Sequence, residues 1–116
     1  MITGKYPNLR LRRTRKYTWS RRLIQENNLS CNDFIYPIFL MEGKNNKQPI
    51  KLMPEVYRYT IDKLGGLVSN AIKNKIPMIA LFPSTPNKKK DYYGNEALNE
   101  NNLVCRATRY LSLIHI

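Results

Sequence analysis

An α/β chain built on a parallel sheet and preceded by an extended basic arm is the fold class that the sequence predicts. Three observations point there. A nine-residue β-branched and aromatic run, Asp33 to Met41, is followed by a helical-period stretch, Thr60 to Lys75, and then by the short apolar run "MIALF", Met78 to Phe82. Strand, helix, strand is a βαβ unit, and such a unit implies parallel strands joined by a right-handed crossover. The third observation is the segment "LRLRRTRKYTWSRRL", Leu9 to Leu23, which holds seven cationic residues and no acidic one.

The elements follow in chain order. Pro7 disfavours helix at the start, and Thr18 is placed to cap a turn beginning at Trp19, with Trp19, Leu23 and Ile24 on one face. "LSCND" ends that pattern. The continuous apolarity of "DFIYPIFLM" suggests a strand buried on both faces, although Pro37 cannot donate to a ladder and belongs at an edge or bulge. A polar loop, "EGKNNKQPIK", leads through "MPEVYRYT" to Thr60, which has the character of a helix N-cap. Ile61, Leu64, Leu67, Val68, Ala71 and Ile72 then recur at helical spacing. Asp62 suits the positive end of that helix, Lys73 and Lys75 the negative end, while Gly65 and Gly66 weaken it or allow close packing. "MIALF", fenced by Pro77 and Pro83, is short enough to be a buried strand. After the loop "PSTPNKKKDYYGNEALNENN", a second helix opens at Leu103 and continues through Val104, Ala107, Tyr110 and Leu111. Two strands do not close an α/β domain, so a chain cut short is expected.

Charge and chemistry narrow the function. The 116 residues carry a net charge of +12, and 42% hydrophobic content supplies one modest core. Residues 1 to 22 hold eight of the positive charges and no negative one, so the bias belongs mostly to the arm. A basic arm suits a polyanion, and a small nucleic-acid-binding module is the alternative reading, with Tyr6, Tyr17 and Trp19 stacking on bases. Cys31 and Cys105 stand apart with no CxxC, which suggests two reduced, partly buried thiols rather than a zinc site or disulfide. The start has no apolar leader and no run reaches the length of a membrane span, so a soluble cytoplasmic protein is expected. His115 is a tail position, and "NKKKD", Asn87 to Asp91, reads as a solvated loop. Ser84 and Thr85 follow the C-terminal end of a strand, where α/β folds place active sites and where loop caps are equally common. No nucleophile elbow, P-loop or GxGxxG is present.

Several motifs in fixed order carry more. The arginine-rich arm with "RRL", "DFIYPIF" followed by Glu42-Gly43, "MPEVYRY", "ALFPSTP" and "KDYYGNEALNENNLV" together resemble the N-terminal third of the delta-aminolevulinic acid dehydratase family, also called porphobilinogen synthase. The resemblance runs from about Leu9 to Leu111. It implies the first part of a (β/α)8 TIM barrel: residues 1–32 as an arm with a short helix, 33–110 as the first two βα units, and 111–116 as a non-native tail. "LSLIHI" is similar to the translation of a transposon-end adapter used in library sequencing.

The resemblance also implies an activity, the condensation of two 5-aminolevulinate molecules into porphobilinogen through Schiff bases on two lysines of later strands. Zinc or magnesium would assist in the full-length family, with none bound by residues of this fragment. Phe82 matches a family position near the substrate pocket, with plain barrel-core packing as the other reading. The arm would wrap a neighbouring subunit in a homo-oligomer, commonly an octamer, through Arg10, Arg12, Arg13, Arg15, Arg21 and Arg22, with Trp19 and Leu23 as apolar anchors. Neither nucleic acid nor membrane is an expected partner. Two positions depart from the pattern: Glu55 stands where the family usually has glycine, and Asn95 where serine is more usual.

Overall fold

The computed structural model describes residues 3–114; His115 lies outside them. Its strands are Ile35–Leu40 (β1), Lys47–Pro49 (β2), Tyr57–Tyr59 (β3) and Met78–Pro83 (β4). They form one sheet in the order β2-β3-β1-β4. β1 runs parallel to β4 over its whole length, from Ile35 opposite Met78 to Leu40 opposite Pro83. It also runs parallel to β3, but only through Phe39 and Leu40. β2 and β3 are an antiparallel pair. The helices are Thr18–Leu23 (α1), Leu64–Lys73 (α2), Asn95–Leu98 (α3) and Leu103–Ile114 (α4). The expected strand–helix–strand unit is therefore β1, α2 and β4.

Pro37 sits in an inner strand without breaking it, and the ladder explains why. The Met41 N–H donates to the Tyr59 carbonyl, and the Leu40 carbonyl accepts from the Ser84 N–H. Backbone groups of odd-numbered β1 residues thus turn toward β3, and those of even-numbered residues toward β4. Pro37 lacks its N–H on the β3 side, two residues before the pairing with β3 begins.

The core lies on one face of the sheet. Ile38 and Leu40 of β1 pack with Leu64 and Val68 of α2 and with Leu103 and Ala107 of α4, all buried. Alternation sends Ile35, Pro37 and Phe39 to the opposite face, with their register partners Met78, Ala80 and Phe82. Among the described residues that face is largely uncovered: Ile35 and Met78 are each 57% exposed. Burial of β1 on both faces and of all of β4 therefore does not hold in this chain. Helices screen one side only, and β4 is an edge strand.

Five local expectations are corrected. The sheet gains a hairpin, β2–β3, with strands of three residues each. α1 begins one residue early, at Thr18, and its cap is Tyr17, whose N–H donates to Ser20 Oγ while that hydroxyl donates to the Tyr17 carbonyl. Thr60 does not cap through its side chain. It precedes a 3-10 turn, Ile61–Lys63, and its wholly buried hydroxyl accepts from the Asn46 N–H and donates to the Asn46 carbonyl, both at 3.1 Å. Ile72 points away from the core, and Cys31 is exposed rather than partly buried. α4 continues without a break through Leu111 to Ile114.

Glu55 adopts φ +65°, a left-handed conformation that favours glycine. It lies in the turn that connects β2 to β3, closed by the Val56 N–H donating to the Met53 carbonyl and the Ile50 N–H to the Val56 carbonyl. The non-glycine residue at this place thus carries backbone strain.

The arm projects. The radius of gyration is 22.8 Å and the longest dimension 72 Å, against about 13 Å for the radius of a compact domain of about 100 residues.

Candidate functional site

The C-terminal ends of parallel strands are where an α/β sheet presents loops and helix termini to a ligand. Here those ends belong to β1 and β4. Phe39 and Phe82 are register partners on the uncovered face, and their rings stack with centroids 5.5 Å apart and planes 29° apart. Phe82 is 49% exposed. With Phe39 it makes an aromatic patch on the open sheet face. Arg58 of β3 is the register partner of Phe39 on the other side, so it belongs to the same face of the sheet.

Beyond the strand ends lies a cleft of about 380 Å³, lined by Glu42, Ser84, Thr85, Lys89, Glu96 and Cys105 among others. Ser84 and Thr85, singled out by position, line it. Ser84 uses its N–H to extend the β1–β4 ladder to Leu40. Four charges organise the rim. Arg106 Nη2 is 2.5 Å from Glu42 Oε1, and Lys89 Nζ lies 3.1 Å from Glu96 Oε1 and 4.0 Å from Glu42 Oε1. The hydrogen bond from Lys89, then that from Asn99, holds Glu96 below the usual carboxylate range. Lys89, expected to be solvated, is thus an ion-pair partner. α4 starts beside the cleft with its first turn capped, since Asn102 Oδ1 accepts from the Cys105 N–H at 2.8 Å.

Nearby turns are also held by carboxylates. Asp62 accepts from the Asn45 N–H at 2.9 Å, and that bond is the main reason its carboxyl titrates low. Asp91 accepts from the Asn95 N–H and side-chain amide, which lowers it likewise, and Asn95 starts α3.

The arm is a second candidate surface. Arg10, Arg12, Arg13, Arg15, Arg21 and Arg22 make no ion pair among the described residues. Trp19, Leu11 and Leu23 are exposed, and Trp19 stacks on Tyr17 at 6.3 Å with planes 8° apart. Arg10 lies over the Tyr6 ring, 5.6 Å from its centroid. Only Ser20 of α1 is buried. The apolar anchors have no internal role.

Phe39, Arg58 and Arg106 carry no site signal in the sequence, and Glu42 enters there only as part of the Glu42-Gly43 motif, with no site role. Phe39 could have been found by alternation from a strand whose even positions face helices. Glu42 could have been found as the first acid after the strand. Arg58 needed the hairpin to be recognised, and Arg106 needed tertiary structure. For a metal, the described residues offer no cluster of three or more His, Cys, Asp and Glu side chains. The two cleft acids, Glu42 and Glu96, are engaged by Lys89 and Arg106. No helix among the described residues is long and apolar enough to cross a membrane.

Comparison with known proteins places this geometry. The family model for delta-aminolevulinic acid dehydratase matches residues 8–113. The enzyme of that name from Bradyrhizobium diazoefficiens is 46% identical over 101 residues, 87% of this chain and 29% of that protein. The one from Methanothermus sociabilis is 38% identical, across 92% of this chain and 33% of that protein. A solved structure of the Toxoplasma gondii delta-aminolevulinic acid dehydratase (porphobilinogen synthase), in complex with the reaction product porphobilinogen, superposes with a TM-score of 0.82 at 31% identity. It covers 92% of this chain, and this chain covers 30% of it. The chain therefore spans about a third or less of the length of these relatives. With nearly its whole length matched in sequence and in fold, the chain belongs to the delta-aminolevulinic acid dehydratase family.

Proposed function

We propose that this chain is the N-terminal part of a cytoplasmic porphobilinogen synthase, a hydro-lyase that condenses two 5-aminolevulinate molecules into porphobilinogen in tetrapyrrole synthesis. The observation that carries the reading is the family match along residues 8–113, with a fold match over 92% of the chain. The uncovered face of β1 and β4 supports it, because an apolar sheet face at 57% exposure for Ile35 and Met78 is the inner wall of a barrel that further strands would close.

In that barrel Phe39 and Phe82 floor the substrate mouth. Stacked rings exclude water from one side of a bound keto acid, and low local polarity strengthens the electrostatic contacts made by other walls. The two lysines that form Schiff bases belong to later strands, so no lysine of this chain takes that role. Zinc or magnesium, which the resemblance implies for the full-length family, finds no donor set among the described residues.

The arm, residues 1–32, serves assembly of a homo-oligomer, commonly an octamer. Arginines free of internal ion pairs supply bidentate contacts to a neighbour's carboxylates, and Trp19 and Leu23 insert as apolar anchors. A phosphate-tracking arm needs no such anchors.

The test is production of porphobilinogen from 5-aminolevulinate. The chain extended by the remaining barrel strands should turn over, and the 116-residue chain should not. Sustained turnover by the short chain, or none by the extended one with its metal supplied, contradicts the reading.

A further inference from the structure

The loop from Ser84 to Asn102 stands over the strand ends that carry Phe39 and Phe82, yet apolar packing contributes little to holding it. Tyr92, Tyr93 and Leu98 are among the most exposed large side chains, and neither the 3-10 turn Asn87–Lys89 nor α3 has a buried residue. Polar contacts do the holding. Lys89 joins Glu96 to Glu42, and Arg106 joins Glu42 to the loop through its Nε–H, which donates to the Asn101 carbonyl at 3.1 Å. A single oxygen, Glu42 Oε1, draws one cation from the loop and one from α4.

Glu42 is well placed for this. It follows β1 by two residues, and Met41 between them is fixed by its N–H bond to Tyr59. Gly43 then turns the chain away at φ +122°, against Thr60. The carboxylate is thus carried by the rigid sheet, and its two partners by the segments that must be located relative to it. Partly exposed ion pairs contribute little to global stability. A loop without apolar anchors belongs to the low-stability part of a fold, so there the same small energy decides the local population.

We infer that Glu42 is a positioning residue, which acts through Lys89 and Arg106 to latch the 84–102 loop over the substrate mouth. The inference rests on the porphobilinogen synthase reading for its catalytic consequence and on geometry alone for the latch. The pairs are solvent-accessible, so screening should loosen the loop as salt is raised from about 0.1 M to about 1 M, where the Debye length falls from about 10 Å to about 3 Å.

The experiment uses the full-length enzyme and Glu42→Gln, with amide hydrogen exchange over residues 87–98 and steady-state kinetics read at both salt concentrations. Exchange in the loop should accelerate about fivefold at low salt, with the sheet core unchanged. KM for 5-aminolevulinate should rise by a similar factor, with kcat near the parent's, and its dependence on salt should largely vanish. Lys89→Met, on the loop itself, should reproduce the change and serves where Glu42→Gln fails to assemble. Unchanged loop exchange in the variant that assembles overturns the latch. So does a parent enzyme whose loop exchange ignores salt. If the parent makes no porphobilinogen, the functional reading fails, while the exchange data still decide the latch.

Discussion

Replacing Ile35 by alanine in the full-length protein separates a closed barrel from an open sheet. The change removes three side-chain carbons, worth about 2.4 kcal/mol when wholly withdrawn from water at about 0.8 kcal/mol each. With Ile35 57% exposed, as it is in residues 3–114 alone, the loss would be about 1 kcal/mol. If later strands cover the face, the transfer is complete and a cavity is left behind, which raises the cost to about 2–5 kcal/mol. Ile35 is suited to this because its partner is Met78, at the opposite end of the strands from Phe82, so substrate contacts are not disturbed. Denaturant unfolding at one fixed protein concentration reads the difference, since assembly makes apparent stability concentration-dependent. A cost of about 1 kcal/mol or less would refute the claim that the uncovered face is a barrel interior.

Further outcomes follow from single sites. Glu55→Gly should raise stability by about 0.5–1 kcal/mol, because it relieves a left-handed residue while adding chain entropy; a loss would show that Glu55 has an unrecognised partner. Thr60→Val keeps the shape but takes the hydroxyl partner from the Asn46 N–H, while the Asn46 carbonyl keeps the Thr60 N–H, and should cost about 0.5–1.5 kcal/mol in thermal or denaturant unfolding; a neutral result would remove the hydroxyl from the account. Asp33, Asp62 and Asp91 titrate below their ordinary value in the folded chain, through bonds from Ser30, Asn45 and Asn95 respectively. Their contribution is complete above about pH 4 and is lost as pH falls through the lowered values, so Asp62→Asn should flatten the acid limb of a stability–pH curve. Deleting residues 1–22, or changing Arg12, Arg13 and Trp19 to alanine, should shift the full-length enzyme to smaller oligomers in sedimentation. Retained size together with tight, salt-sensitive binding of duplex or single strands would favour the nucleic-acid reading instead.

What the sequence made legible follows physical rules. β1, α2 and β4 were legible because each is long enough for its period to register, and Leu64, Val68 and Ala71 do face the core. The β2–β3 hairpin was not, because three-residue strands fall below any periodic signal; only the alternation Tyr57–Arg58–Tyr59 hinted at it. Pro37 argued against the correct strand, since a ladder's gap is set by where a neighbour ends, which is a tertiary fact. Thr60 had the right residue type for a cap and a different partner, Asn46, fourteen residues away in sequence. Of the candidate site, Phe82 and the Ser84–Thr85 position could be read from strand polarity. The ion-pair hub could not, because Glu42 and Arg106 are separated by 64 residues. The basic arm was evident from charge alone. Its apolar anchors gained meaning only when the structure left them exposed.

The measurement that bears most directly on the central claim is a single-turnover and steady-state assay for porphobilinogen. It pairs the full-length protein, with zinc or magnesium supplied, against the 116-residue chain at equal concentration. The account predicts sustained product from the full-length protein and none from the short chain, whose strands hold an aromatic floor without the Schiff-base lysines. Turnover by the short chain, or a folded and metal-supplied full-length protein that leaves 5-aminolevulinate unchanged, would contradict it.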